Sequence, residues 1–101
     1  MATNNPIEQL NKVFDHRIRL GIVSAVLVTD GISFNELKEL LQITDGNLAS
    51  HIKALEEQAI LCVHKGFLGK KTNTTYSLTK VGTKLFKAHI TALENLFKTI
   101  K

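Results

Sequence analysis

The segment from residue 33 to residue 78 constrains the fold of this chain most strongly. It contains an amphipathic helix, a tight turn, a second helix and a hairpin with a Lys/Gly-rich tip. These elements follow one another directly, without a linker between them. Ser33 followed three residues later by Glu36 predicts the start of the first helix, because this spacing forms a capping box. A unit this compact leaves little room for catalytic groups, but it presents one helix and one basic loop outward.

The second helix of this unit has one apolar side and one polar side. A turn at 43–46 precedes it, and Thr44 or Asp45 is its expected cap. At about 100° per residue its apolar side chains fall within a narrow arc. They are Leu48, Ile52, Leu55 and Ala59. The opposite side is small and polar, so we predict a recognition helix at about 45–58 that fits inside a major groove.

A β-hairpin is predicted at about 60–78. Residues 60–65 have the composition of a strand and 74–78 that of its partner, and the stretch 66–73 between them is longer than a minimal hairpin turn. Lys70 and Lys71, the glycines around them, and Thr72 and Asn73 predict a flexible, positively charged tip. Together with the helices, this hairpin predicts a mainly α fold with a small β-hairpin wing, which is a winged helix-turn-helix.

The C-terminal helix, predicted at about 79–99, has an apolar face that is wider than a domain of this size easily covers. Exposed apolar patches of that kind mark association surfaces. We therefore predict a symmetric homodimer through this helix; the alternative is that its apolar lines fold back onto the domain's own core. The predicted interface residues are Leu85, Phe86, Ile90, Leu93, Leu96, Phe97 and Ile100.

Length and composition predict a single domain over residues 1–101. The chain is 44% hydrophobic and 22% charged, which is typical of a soluble globular protein. No apolar run approaches the roughly 20 residues that span a bilayer, and the first residues do not have the pattern of a signal peptide. The single cysteine, Cys62, fits a reducing compartment. We therefore expect a cytoplasmic protein without a membrane partner.

Charge is distributed unevenly along the chain. Residues 1–59 hold five Lys or Arg and eight Asp or Glu, whereas residues 60–101 hold eight Lys and one acidic residue, Glu94. The two parts therefore carry net charges of −3 and +7. A basic region of this kind is either a solubilising surface or a surface that faces phosphates, and charge alone does not decide between them.

Four short motifs occur in order over about residues 10–90. They are His16-x-x-Arg19-Leu20-x-Ile22, Ser33-Phe34-x-Glu36-Leu37, Thr44-Asp45-Gly46-Asn47-Leu48-x-x-His51-x-x-x-Leu55-Glu56 and Thr74-Thr75-Tyr76-x-Leu78-Thr79-x-x-Gly82. As an ordered set they resemble the winged-helix transcriptional regulators, and most closely a small MarR/ArsR-like group. The resemblance implies a dimeric cytoplasmic regulator whose recognition helix reads a half-site while the wing grips the DNA backbone.

The wing differs from that family in one respect. Related wings often carry an Asp-x-Arg pair with an arginine that enters the minor groove, whereas this chain has Lys70 and Lys71 and no arginine. A lysine ammonium lacks the planar fork of arginine and favours phosphate contact. We therefore expect the lysines to bind the backbone and not to read the groove.

These patterns together predict a sequence-specific regulator of transcription, a repressor, that binds double-stranded DNA. Asn47, Ser50 and His51 are the candidates for base-edge contact, since Asn pairs bidentately with adenine and a hydroxyl contacts several bases. For His51, packing or phosphate contact is an equally open role. The predicted phosphate ligands, which set affinity and register without reading sequence, are Lys53, Lys65, Lys70, Lys71, Thr72 and Asn73.

Three alternatives remain. A metal- or ligand-responsive sensor is possible because four His and one Cys are present. However, the paired cysteines of metal-responsive relatives are missing and no two His have ligand spacing within one helix, so we predict no metal or cofactor, with a zinc site across a dimer left open.

An enzyme is not expected, because no nucleophile motif, phosphate loop or carboxylate pair is found. A winged helix used only for protein contact shares the predicted fold. No residue identifies a small-molecule effector, which would have to bind at the dimer interface or beneath the long helices.

Overall fold

The computed structural model describes residue 7 and the ranges 10–29 and 31–100, the last two residues of the latter for their backbone only. Its elements are a 3₁₀ turn at Lys12–Phe14, α1 at Arg17–Val28, β1 at Ile32–Ser33, α2 at Phe34–Leu41, α3 at Asp45–Glu57, β2 at Leu61–Leu68, β3 at Lys71–Leu78 and α4 at Lys80–Ile100. The helices together with an antiparallel β2–β3 hairpin confirm the predicted winged helix-turn-helix.

Side-chain caps determine where the helices begin. The backbone N–H of Glu36 donates to Ser33 Oγ and the N–H of Ser33 donates to Glu36 Oε1, both at 3.1 Å, which confirms the predicted capping box of α2. Thr44 Oγ1 accepts from the N–H of Asn47 at 3.2 Å and caps α3. α1 is capped by His16, whose Nδ1 accepts from the backbone N–H two residues on, and not by the carboxylate before it. A neutral imidazole can cap in this way because one of its nitrogens is an acceptor.

The sheet has three antiparallel strands in the order β1-β3-β2. β1 contains only two residues, and it pairs Ile32 with Tyr76 and Ser33 with Thr75. A strand this short has no alternation that a sequence pattern could detect. Its pairing places the start of α2 directly beside β3.

The wing has a shorter turn than the sequence pattern predicts. β2 and β3 stay paired out to Leu68 and Lys71, so the turn consists of Gly69 and Lys70 alone. Gly69 has a φ of 64°, and a positive φ at the first of two turn residues is typical of a type II′ hairpin, which favours Gly there. The long flexible tip expected at 66–73 is therefore wrong. Full pairing satisfies backbone groups that a longer loop would leave to water.

The core lies between α1, α2, α3 and the inner face of the sheet. α1 is the central helix, because Ile22 and Val23 are both completely buried. The remaining fully buried large side chains are Leu37, Leu48, Leu55 and Ile60. One face of each of these helices is therefore buried in the core, and the opposite face is exposed to solvent.

A close contact joins the end of α3 to the start of α4. Thr79 Oγ1 donates to the carbonyl of Ala59 at 2.6 Å and accepts from the N–H of Gly82 at 2.8 Å. The N–H of Thr79 donates to the carbonyl of Ile60 at 3.0 Å. A Cβ at Gly82 would lie 2.9 Å from the Cα of Ile60 and overlap its carbonyl group, so only glycine fits. This joint positions the base of the hairpin against α4.

The middle of α4 is anchored to the segment before α1. Phe86 is buried and its ring meets Phe14 edge to face at a centroid distance of 5.2 Å. His89 is also buried, and its Nδ1 accepts from the backbone N–H of Asn11 at 3.1 Å. Among the residues that the structure describes, no helix combines the length and the apolar character needed to cross a membrane.

Candidate nucleic-acid interface

α3 presents a polar face to solvent. Its apolar arc is inserted into the core, with Leu48 and Leu55 at 0% exposure and Ile52 at 3%. Asn47 and Ser50, two of the predicted base-contacting residues, are exposed, as is Lys53, a predicted phosphate ligand. The predicted buried side is confirmed for Leu48, Ile52 and Leu55. It is wrong for Ala59, which is exposed and lies after the last residue of the helix, Glu57, with a positive φ of 59°.

The exposed face of α3 is also sterically open. A Cβ built at Gly46 would meet no atom within 4 Å, and Ala49 is exposed beside it. Ala49 was not among the predicted contact residues, although its position one residue after Leu48 places it at the edge of the outward arc. Small side chains of this kind allow close approach of a base edge, and an Ala methyl group can contact the methyl group of thymine.

An ion pair connects the two helices of the helix-turn-helix. Lys38 Nζ on α2 lies 2.8 Å from Asp45 Oδ1 at the start of α3. The two side chains are 43% and 70% exposed, so the pair contributes less than about 1 kcal/mol to stability. Its carboxylate also lies in the first turn of α3, where a negative charge complements the helix dipole.

His51 is held against α1 by two neighbouring side chains. The Nε–H of Arg19 donates to His51 Nδ1 at 3.1 Å, and the His16 ring lies at a centroid distance of 4.3 Å. Burial lowers the pKa of His51, and the nearby charges of His16 and Arg19 lower it further. Since Nδ1 is already occupied, this geometry favours the packing role that the sequence left open for His51 beside base contact.

The wing divides the predicted phosphate ligands between its two faces. Neighbouring residues along a strand point to opposite faces. Lys65 and Thr72 share the inner face with Val63, which packs against the core, whereas Lys71 and Asn73 lie on the outer face. Lys70 occupies the turn. All but Asn73, which is half-buried, are exposed.

Two exposed apolar side chains at the tip of the wing had no role in the sequence-based prediction. Phe67 is 75% exposed and Leu68 is 69% exposed. The sequence does carry a signal for them, because an apolar pair between Lys65 and Lys70 stands outside the apolar alternation of the strand. Without knowledge of where β2 leaves the core, that signal cannot distinguish a core residue from an exposed one.

The wing carries positive charge and no negative charge. Residues 60–78 contain three Lys and no Asp or Glu. The last turn of α3, in contrast, carries Glu56 and Glu57. Burial raises the pKa of Tyr76, and the charge of Glu56 raises it further. Lysines therefore lie on the hairpin, at Lys53 in the middle of α3, and at four positions along α4, not at the C-terminal end of α3. Within the described ranges, no three His, Cys, Asp or Glu side chains come together in a way that could hold a metal ion.

Comparison with known proteins assigns the family. The sequence model described as "Winged helix DNA-binding domain" matches residues 18–97. The chain belongs to this family. The winged-helix part of the predicted resemblance is thereby confirmed.

Three similar proteins extend this result. An uncharacterised protein of Methanocaldococcus jannaschii is 33% identical over 90 residues, which are 89% of this chain and 98% of that protein. A transcriptional regulator homologue from Pyrococcus horikoshii has a similar structure, with a TM-score of 0.85, 23% identity and coverage of 95% and 97% of the two chains. The transcriptional repressor BigR from Xylella fastidiosa has a TM-score of 0.63 at 25% identity, with 95% and 83% covered. The fold is therefore shared over nearly the whole chain.

The His16–His51 contact leads to a prediction about pH. His16→Asn retains a capping side chain for α1 but removes the ring beside His51, so the pKa of His51 should rise toward its ordinary value of 6.5. Because the folded-state pKa is the lower one, His51 contributes stability above about pH 6.5 that is lost as the pH falls through the folded-state pKa. The variant should lose less stability on acidification. An NMR titration of the imidazole signals and urea unfolding at several pH values measure both effects.

His64→Asn, on the outer face of the wing, is the matched control and should leave the titration of His51 unchanged. An unaltered His51 pKa in His16→Asn would show that the ring contact does not depress it.

Proposed function

We propose that this protein is a sequence-specific regulator of transcription, acting as a repressor, that places α3 in the major groove of double-stranded DNA and the wing on the backbone. The observation that carries the proposal is the exposed polar face of α3 next to a hairpin with three lysines and no acidic residue. The role requires no catalytic step, and we expect it to be performed in the cytoplasm.

The dimensions of α3 support insertion into the major groove. That groove is about 12 Å wide and admits one helix, and it presents a distinct pattern of donors and acceptors for each base pair. Asn47 and Ser50 lie in the first two turns of α3 and are exposed. The N-terminal residues of a recognition helix are the ones that reach base edges in helix-turn-helix proteins. We assign base contact to these two side chains, with His51 in a supporting position against α1.

The lysines support a role in phosphate binding. Lys53 on α3 and Lys65, Lys70 and Lys71 on the wing are exposed, and the structure gives none of these four an ion-pair partner among the described residues. Contacts to phosphate supply affinity that depends on salt and fix the register of the protein on the duplex. The similarity to BigR, described as a transcriptional repressor, supports repression as the sign of regulation.

The shape of the protomer supports a homodimer through α4. The Cα radius of gyration is 15.5 Å, whereas a compact domain of this size has about 13 Å, and the protomer is 56 Å long but only 26 and 21 Å across. Phe97 is 69% exposed and Ile90 is 38% exposed, with Leu93 and Leu96 half-buried. In a two-fold symmetric dimer, the same apolar surface of a second copy would cover this end of the helix. Phe86 is buried and Leu85 packs against the core within the protomer, so we restrict the proposed interface to 90–97; the side chain of Ile100 lies outside the described part of the chain.

Removing the wing lysines should weaken binding to every DNA sequence. For Lys70→Ala with Lys71→Ala, we expect lower affinity on both specific and random duplexes and a shallower salt dependence, because each phosphate neutralised contributes about −0.9 to the log–log slope. Fluorescence anisotropy on mixed-sequence duplex DNA over a salt series measures the slope. Lys87→Ala with Lys98→Ala removes the same charge from α4 and should leave the slope nearly unchanged. A wild-type affinity that is flat with salt would instead favour protein contact.

Truncating Asn47 should lower affinity for the preferred site only. We expect Asn47→Ala to cost about 1–3 kcal/mol on a duplex selected from a random pool and almost nothing on unrelated DNA, because the amide reads a base edge. Lys53→Ala, on the same helix face, is the contrasting variant and should weaken both DNAs equally. Equal losses on both duplexes for Asn47→Ala would contradict its assignment.

Charge introduced on the end of α4 should separate the dimer. Phe97→Glu places a carboxylate in the most exposed apolar position of the proposed interface, and since this position is exposed in the protomer the fold should be retained. We expect sedimentation equilibrium to report a dimer for the wild type and a monomer for the variant. Val81→Glu, at a position that is 54% exposed near the other end of α4, should remain dimeric. A wild-type monomer, or a dimeric Phe97→Glu, would exclude this interface.

A further inference from the structure

The tip of the wing combines apolar side chains with positive charge. Phe67 and Leu68 are 75% and 69% exposed, and they precede the two-residue turn directly. Apolar side chains in such a position contribute little to the core, but they are available to a binding partner. The residues around Phe67 and Leu68 indicate which kind of partner these side chains fit.

Only one of the two apolar residues lies on the face that continues from the core. Counting outward along β2, Leu61, Val63, Lys65 and Phe67 share one face. Leu61 is buried and Val63 packs on the core, and β2 contacts α3 on this side. Leu68 lies on the opposite face, paired with Lys71. Phe67 is therefore the apolar residue on the same side of the hairpin as the recognition helix.

The charges around Phe67 fit a polyanion. Lys65 lies two residues before it on the same face, Lys70 follows in the turn, and no Asp or Glu occurs anywhere in residues 60–78. A shallow hollow of about 310 Å³ is lined by Lys65, Gly66, Phe67, Thr72 and Thr74. A second copy of the wing would bring the same lysines and be repelled, whereas phosphates on either side of a groove would pair with them.

The reach of the hairpin matches the distance between neighbouring grooves. Phe67 is the fourth residue after Val63, the last core contact of β2, and a strand rises about 3.4 Å per residue, so Phe67 lies roughly 14 Å beyond Val63 along the strand. Half a turn of B-DNA, which separates a major groove from the adjoining minor groove, is about 17 Å along the axis. The hairpin therefore projects from the core by a length comparable to half a turn of duplex DNA.

We propose that Phe67 is an apolar wedge that enters the minor groove beside the half-site and partly unstacks a base step. Apolar wedges such as Phe and Leu are inserted in this way by proteins that bind the minor groove, and the unstacking bends the duplex. Pyrimidine–purine steps, TA and CA/TG, unstack most easily, so the wing selects DNA with such a step at this distance from the half-site. The wedge takes the place of a charged groove-reading residue, and the lysines beside it hold the phosphates. This inference rests on the proposed function, because it requires that the protein binds duplex DNA.

The experiment compares wild type, Phe67→Ala, Phe67→Leu and Leu68→Ala on one duplex. The duplex is selected from a random pool with the wild-type protein, and 2-aminopurine replaces an adenine in its flanking pyrimidine–purine step. We expect wild type, Phe67→Leu and Leu68→Ala to raise the fluorescence of the probe as the step unstacks, and Phe67→Ala to leave it unchanged. Phe67→Ala should also bind this duplex about tenfold more weakly while its salt slope is retained, because all lysines remain. Circular dichroism confirms that each variant is folded.

Four results would overturn the inference. Equal fluorescence changes for Phe67→Ala and Leu68→Ala would show that the ring has no special contact with the DNA. Salt-dependent binding by the wild type without any fluorescence change at pyrimidine–purine steps would show that no base step is unstacked. Either of these leaves the proposed DNA-binding function intact. A wild type that does not bind duplex DNA would remove both proposals together, and a change in self-association of Phe67→Ala in the absence of DNA would assign the ring to a protein contact instead.

Discussion

The packing of the apolar arc of α3 into the core is the interaction on which the rest of the structure depends. Leu48 and Leu55 are completely buried and Ile52 almost so, and their burial fixes the rotation of the helix about its own axis. Because successive residues differ by about 100°, a shift of one position would turn Asn47 toward the core and bring an apolar side chain out. Full burial of three such side chains, each contributing about 1.5–3 kcal/mol, makes that alternative costly. The exposed face of α3 is thus a consequence of the core, and its functional use follows from that.

The contact at Thr79 and Gly82 fixes the positions of the hairpin and of α4 relative to α3. Hydrogen bonds from Thr79 to the carbonyls of Ala59 and Ile60 hold the start of the hairpin against the start of α4. Since no side chain fits at Gly82, the two backbones approach closely enough to behave as one body. The wing, the recognition helix and the helix proposed for dimerisation are therefore positioned relative to one another within a single core. A two-fold axis through α4 would then set the spacing of two recognition helices, which helix-turn-helix dimers match to about one turn of DNA.

α4 performs two roles along its length. Its middle belongs to the protomer, where Phe86 packs on Phe14 and His89 accepts a hydrogen bond from Asn11. Its end leaves the compact part of the domain, as the exposure of Phe97 shows. The apolar lines of this helix thus contain both core and surface residues in alternation. The fold-back onto the core holds for Leu85 and Phe86, whereas the apolar end of the helix is the surface proposed for dimerisation.

Local sequence determined the order of the elements, the caps at Ser33 and Thr44, and the inner and outer sides of α3, because capping chemistry and helical periodicity act over only a few residues. Those same patterns predicted the family, and they placed the positive charge on the wing. Only the tertiary structure decided that β2 and β3 pair out to a two-residue turn, that the two-residue β1 joins the sheet, and that His51 is held by Arg19 and His16. These features depend on which residues distant in sequence come together. The tertiary structure also determined that Phe67 projects beyond the core. A strand residue is buried or exposed according to where the neighbouring helix ends, and the alternation of side chains along the strand does not indicate that position.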